Sequence, residues 1–309
     1  MRAVRAVDGA ATVVDVDEPA GDWPVLQVSS VSICGSDFTL LNLGLGFTLG
    51  HEIAGTVDGV PYCVEPTVFC GECDQCRVGA TARCRGTGPH GLIGVAFDGG
   101  LADRIAVPPT SLVPVPAGLP MADASLVEPM AVCWHALRQA SAVAGERVLV
   151  VGGGSVGLLA VAAARAMGLS VDLQARHPHQ IAAGERLGAG QPSGKYDITV
   201  EAVGSNAALA ACVEHAAPGG RIAVVGVNYG DVTLAGLPFL MNELSVFASF
   251  CYGRPHGAHE FAEAAEALAA DPEIAATVVT HRFPLADATE AFRVAADRAG
   301  GAIKVVLQP

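Results

Sequence analysis

The run Gly152-Gly153-Gly154-Ser155-Val156-Gly157 joins an apolar, strand-like stretch, Arg147–Val151, to a small-residue stretch, Ser155–Met167, that reads as a helix. Few folds place a glycine turn between a buried strand and a helix. There the glycines let the chain turn tightly and let an anionic group approach the helix's unpaired amides, so G-x-G-x-x-G in this frame points to a dinucleotide site. The same motif in an ordinary loop would mean only a flexible turn. What surrounds it extends the pattern: a helix over Ala124–Ala140, strands at Leu169–Gln174, Ile198–Ala202 and Arg221–Val227, a helix over Asn206–Ala216 and an apolar run Leu244–Cys251. Strands alternating with helices predict a doubly wound parallel sheet, hence an α/β protein. Helices at His259–Ala270 and Ala286–Ala296 precede a last strand, Ile303–Leu307, which could return to the first domain.

Residues 1 to about 118 read differently. Short β-branched runs such as Ala11–Val16, Val25–Ile33 and Ile53–Val57, broken by Gly, Pro and Asp, predict mostly β structure. At 309 residues and 51% apolar content the chain suits about two domains. With 31 acidic against 18 basic residues and no Lys/Arg run, nucleic acid and anionic membranes are excluded as partners. The window Val148–Leu169 is apolar enough to imitate a membrane span, but its glycines and Arg165 favour strand, turn and helix. The beginning lacks the features of a secretory signal, so a cytoplasmic location is expected.

Nine cysteines in a reducing compartment point to metal or reactive thiols. Cys70, Cys73, Cys76 and Cys84 form C-x2-C-x2-C-x7-C, with Gly71 and Gly79 to let the loop curl, and four thiolates suit a closed, structural zinc. An iron–sulfur cluster and unrelated buried cysteines are the alternatives. Cys63, Cys133, Cys212 and Cys251 lack such spacing and read as small buried hydrophobes.

Upstream, Cys34-Gly35-Ser36-Asp37 and Gly50-His51-Glu52 offer a thiolate, an imidazole and a carboxylate, a set that can hold zinc with one position open. Each residue alone is weak evidence. Together with the cysteine loop they resemble the medium-chain zinc alcohol dehydrogenases, particularly the polyol and threonine dehydrogenase branch, along the whole chain. That resemblance implies a Rossmann domain plus a mostly β, GroES-like catalytic domain. It implies that Cys34 and His51 bind a catalytic zinc, that Glu52 is the neighbouring carboxylate ligand, and that Glu128 of Glu128-Pro129 can supply or exchange with a ligand. Ser36 matches the family hydroxyl that takes the substrate proton, and Asp37 would orient the ligands. The chemistry requires such help, because an alcohol is a poor hydride donor until deprotonated and zinc stabilises that charge near neutral pH.

The chain departs from the family in places. Thr39 stands where a proton-passing histidine is often found, and only 17 positions separate Cys34 from His51. The loops framing the substrate therefore look trimmed. Lys304 matches a basic family position but reads as a surface lysine of little weight. Trp134 and His135 read as helix packing. After the second strand, NAD requires a carboxylate for its ribose, yet Ala175 stands there, followed by Arg176, with His177 and His179 nearby and Asp172 inside the strand. That favours NADP over NAD.

The expected organisation is a catalytic domain from 1–128 and 254–309 around a Rossmann domain of 129–253, with substrate between them. The expected enzyme holds two zinc ions per chain, one catalytic and one structural, and is a homodimer or homotetramer. It transfers hydride between a secondary alcohol, namely a polyol, sugar or amino alcohol, and NAD(P). A non-catalytic zinc- and nucleotide-binding redox sensor or assembly protein is the alternative, and an alkene reductase a more distant one.

Overall fold

The computed structural model describes residues 1–88 and 91–309. It separates into two compact units, one of Met1–Glu128, Tyr252–Ala275 and Val279–Pro309, the other of Pro129–Cys251 with Ala276–Val278.

In the first unit, two Asp-Gly pairs make hairpins. Asp8 and Gly9 (φ 51° and 78°) join Arg2–Val7 to Ala10–Asp15, and Asp58 and Gly59 (φ 50° and 79°) join Glu52–Val57 to Val60–Val64. Positive φ at both turn residues matches the twist of the flanking strands, which is why these two-residue loops favour Asp-Gly. The strand Arg2–Val7 is not marked by the sequence pattern. Val25–Ser32 lies centrally, antiparallel to Glu52–Val57, to Arg104–Ala106 and to Lys304–Gln308. Lys304–Gln308 in turn runs parallel to Val279–Pro284, so the last strand does return to the first sheet. Leu26, Val31, Leu49, Ile53, Ile105, Phe292 and Leu307 fill the core beneath. Register places the polar groups: Ser32 faces Glu52, and the Ile33 amide donates to Val305 O at 3.0 Å, so the chain leaves the central strand toward Cys34 beside Glu52 and Lys304.

The second unit holds five parallel strands in the order Ser245–Ala248, Ala216–Val224, Tyr196–Glu201, Arg147–Val151, Ser170–Gln174. Beyond Ser170–Gln174 a further strand is reduced to one parallel bridge between Asp172 and Gly190. The order reverses beside Arg147–Val151, the switch point at which such sheets bind ligands. Several limits move from their sequence expectation. The helix expected over Asn206–Ala216 ends at His215, and the next strand starts at Ala216 rather than Arg221 and ends at Val224 rather than Val227. A helix, Pro178–Arg186, occupies a stretch where no element is expected; proline at its first position and Gln180 three residues after His177 are its signals. Cys63, Cys133, Cys212 and Cys251 are buried, as expected of small hydrophobes. Among the described residues no helix is long and apolar enough to cross a membrane.

Candidate metal and dinucleotide sites

Cys34, His51 and Glu52 are delivered by three features of the first sheet: the end of the central strand, the turn before Glu52–Val57, and that strand's first residue. One ligand atom from each lies within 4.8 Å of the others. The helix Asp37–Leu43 starts beside them, and Asp37, fully buried, serves both sides. Its Oδ2 accepts the Cys34 amide at 2.8 Å and its Oδ1 lies 3.5 Å from His51 Nδ1. A carboxylate on one imidazole nitrogen leaves Nε2 for a metal. Ser36 Oγ lies 3.4 Å from that Nε2. Burial pushes the His51 pKa down, but the Cys34 sulfur and the Asp37 carboxylate outweigh it and hold the group well above its ordinary value. The anionic surroundings call for a cation at His51, and a proton is the one available in the protein alone. Thiolate, imidazole and carboxylate at this spacing fit zinc.

Glu128 is buried in the same unit, at the start of the helix Val127–Gln139. Burial raises its pKa to about 7, with His51 and Lys304 opposing and Glu52 adding to the rise, so all three charges act on it. It is not among the three clustered ligand atoms.

The cysteine lobe brings Cys70, Cys73, Cys76 and Cys84 together. Three sulfur separations are 3.5 Å (Cys73 to Cys76), 3.5 Å (Cys84 to Cys70) and 3.9 Å (Cys70 to Cys76). Thiolates on a tetrahedral zinc at ~2.3 Å would stand ~3.8 Å apart, so the set fits that ion. Backbone amides of Cys70 and Arg85 donate to Cys84 and Cys73 sulfurs at 3.3 and 3.4 Å. Burial raises Cys84, yet hydrogen bonds from Thr87 and the Cys70 amide bring it down to about 5, while burial and neighbouring thiols push Cys76 up to about 12.

In the second unit the glycine run divides its labour. Gly152 has φ 120°, open to glycine alone, and a Cβ on Gly157 would stand 1.8 Å from Gly152 O, whereas Gly154 has nothing within 4 Å. Thus one glycine turns the chain, one packs helix on strand, and one leaves open approach to the amides of Ser155, Val156 and Gly157. Ala175 and Arg176 follow Ser170–Gln174; Arg176 is exposed.

Residues 20–117 match the alcohol dehydrogenase GroES-like domain and residues 190–270 the zinc-binding dehydrogenase model, together more than half of the chain. The chain belongs to the zinc-dependent alcohol dehydrogenase family. Among its relatives, L-galactonate-5-dehydrogenase of Escherichia coli (strain K12) is 29% identical over 90% of this chain and 89% of its own. The structure of galactitol-1-phosphate dehydrogenase from Escherichia coli superposes with TM-score 0.89 at 26% identity, covering all of both chains. A putative zinc-binding dehydrogenase from Sinorhizobium meliloti 1021, bound to NADP, gives 0.85 at 28% identity over 100% of this chain and 99% of that one.

This dehydrogenase is thus an oxidoreductase that uses zinc and a nicotinamide dinucleotide to interconvert an alcohol and its carbonyl product. One expectation about its site is wrong. Lys304 is not a surface lysine: it is 1% exposed, and its Nζ donates to both Glu52 oxygens at 2.8 and 2.7 Å and to Ile33 O at 3.1 Å. The Ser32 hydroxyl donates to Glu52 as well. A lysine inside the apolar run Ile303–Leu307 is the available signal, because a buried ammonium requires a buried partner. Ser32 offers none, since its role depends on strand register. Tyr252, wholly buried, reads in the sequence only as the close of an apolar run.

Proposed function

We propose that this dehydrogenase oxidises a secondary alcohol of a polyol, sugar or amino alcohol reversibly, with NADP preferred over NAD. The observation that carries the reading is the gathering of Cys34, His51 and Glu52 with Ser36 Oγ beside His51 Nε2. These residues would hold a catalytic zinc, with Glu128 as exchangeable ligand, and the four cysteines of the lobe a structural one. Bound there, zinc would supply a Lewis acid for the alcohol oxygen, and a nicotinamide dinucleotide would supply the hydride acceptor.

The chain's own groups do the rest. Ser36 Oγ would accept the alcohol proton as its own hydroxyl proton passes on toward solvent. Asp37 steadies the His51 ring through Nδ1, and Lys304 balances the charge of Glu52. Glu128, whose pKa burial raises to about 7 in the metal-free chain, gives up its proton readily when a cation arrives beside it. Thr39 stands where a relay histidine would pass the proton outward, so the proton leaves by another route. The first unit is the catalytic domain in this reading, and the second, through Gly152, Gly154, Ser155, Val156 and Gly157, holds the dinucleotide.

Three features support NADP. Asp172 is engaged by the Tyr196 hydroxyl at 2.7 Å and by Arg147 at 3.2 Å and is not free for a ribose. Arg176 is exposed without an ion pair among the described residues. His179 Nε2 is buried without a hydrogen-bond partner, next to His177. A homodimer or homotetramer is supported by the exposed edge strand Ser245–Ala248 and by the exposed apolar side chains Tyr229, Leu237, Leu240 and Met241 of the same unit. The free thiols and thiolate sites suit a reducing compartment, the cytoplasm.

Cofactor reduction followed across polyols, sugars and amino alcohols, with NAD and NADP in parallel, tests the reading. Turnover of members of this panel with NADP ahead of NAD is expected. No turnover of any would defeat the function, and a clear preference for NAD would defeat the Arg176 argument.

A further inference from the structure

Glu201, the last residue of Tyr196–Glu201, is a buried carboxylate with which no lysine or arginine pairs among the described residues. Backbone amides take the place of a cation. Its Oε1 accepts the amides of Val203, Gly204 and Ser205 at 2.9, 2.8 and 3.5 Å, so one oxygen gathers the turn that leaves the strand. Charge-assisted hydrogen bonds are roughly twice as strong as neutral ones, and a buried carboxylate without them would be costly. Ser205 then caps the helix Asn206–His215, its hydroxyl accepting the Ala208 amide at 3.2 Å, which pins the far end of the turn.

The turn so fixed touches the glycine run. The Ala202 amide donates to Val151 O at 3.0 Å, and a Cβ on Gly152 would stand 2.7 Å from Val203 Cγ2. Val203 itself remains 48% exposed. It stands beside Gly152 at the end of the strand that flanks Arg147–Val151 opposite Ser170–Gln174, where the strand order reverses. The next strand end is tied to the same residue. The Val225 and Gly226 amides donate to Glu201 O at 2.9 and 3.0 Å, and a Cβ on Gly226 would stand 2.5 Å from Glu201 Oε2. Main chain and side chain of one residue thus hold two turns at the C-terminal edge of the sheet.

We propose that Glu201 is a positioning residue for the dinucleotide: its carboxylate holds the 203–205 turn so that Val203 stands ready as a wall of the cofactor groove beside Gly152. This rests on the assignment of the glycine run to the dinucleotide. A wall already in place need not be ordered when the cofactor arrives, and that ordering would otherwise reduce the affinity. The wall does not read the 2′-phosphate, so NADP and NAD depend on it alike.

The test titrates the intact enzyme, without alcohol, with NADPH and with NADH, reading their fluorescence, and records the thermal midpoint of the free protein. Glu201→Met keeps the size of the side chain and removes the acceptor, and it should raise both dissociation constants about tenfold. In turnover the same variant should raise KM for the dinucleotide, with kcat and the KM for alcohol little changed. Glu201→Gln keeps an acceptor oxygen for the amides and should recover most of the affinity. A lowered thermal midpoint with unchanged dissociation constants would make Glu201 a residue of stability alone and overturn the proposal. A loss in Glu201→Gln equal to that in Glu201→Met would do the same. Should Glu201→Met fail to fold, Val203→Ala, which trims the exposed wall and leaves the carboxylate in place, should weaken both dinucleotides alike; unaltered binding would overturn the proposal. A parent enzyme that binds neither dinucleotide would instead overturn the assignment of the glycine run on which the wall depends.

Discussion

The two candidate metal clusters of the first unit are built by opposite means. The cysteine lobe draws all its donors from residues 70–84, and the ligands are of one kind. The Cys34 cluster draws on a strand end, a turn and a strand start, with Lys304 and Glu128 arriving from far along the chain. One is a set of four cysteines. The other sets unlike charges side by side, and two of its donors, His51 and Glu52, each have a second partner that holds them. A site meant only to bind a metal can be local and uniform. A site meant to change the charge of a substrate has to be assembled from groups that tune one another.

That contrast can be broken or sharpened by experiment. Cys34→Ser removes a ligand that the lobe cannot replace, and kcat/KM should fall by about 10³-fold, measured as cofactor reduction by the best alcohol; unchanged turnover would mean that the mixed-donor cluster is not the catalytic one. Lys304→Met leaves Glu52 buried without its cation, and unfolding by denaturant should show a loss of about 3 kcal/mol. An unaltered midpoint would show that the charges at this site do not depend on one another.

The third test concerns pH. Glu128 has a folded-state pKa of about 7, above its ordinary 4.5, so the metal-free folded chain keeps a proton that the unfolded chain has released across that window. Its contribution to stability therefore falls as pH rises from about 4.5 to 7 and stays low above. Glu128→Gln should flatten that part of the decline in thermal midpoint; an identical profile for the two proteins would remove Glu128 from the coupled set. The smallest effect is expected in the second unit. Arg176→Ala should weaken NADP relative to NAD by about tenfold in kcat/KM, about 1.4 kcal/mol, and leave NAD turnover nearly unchanged.

The same contrast explains how much is legible without a structure. The lobe is legible because its ligands are close in sequence and of one type, and the glycine turn because its strand and helix flank it. Cys34, His51 and Glu52 are legible only in combination, since each residue is common on its own. The partners of Lys304 and Ser32 are not, because they follow from register and from segments 20 or more residues apart meeting in space. Helix Pro178–Arg186 escapes notice because its apolar face is short, and the bridge at Gly190 is too small to carry a pattern.

The central claim is that two unlike sites each hold a metal and that the mixed-donor one supports hydride transfer. Native mass spectrometry of protein purified without chelator counts those ions directly. Two zinc ions per chain are expected in the parent, and one in Cys34→Ser, with the remaining ion lost in turn when Cys76→Ser is added. Two ions retained in Cys34→Ser, or one alone in the parent, would contradict it.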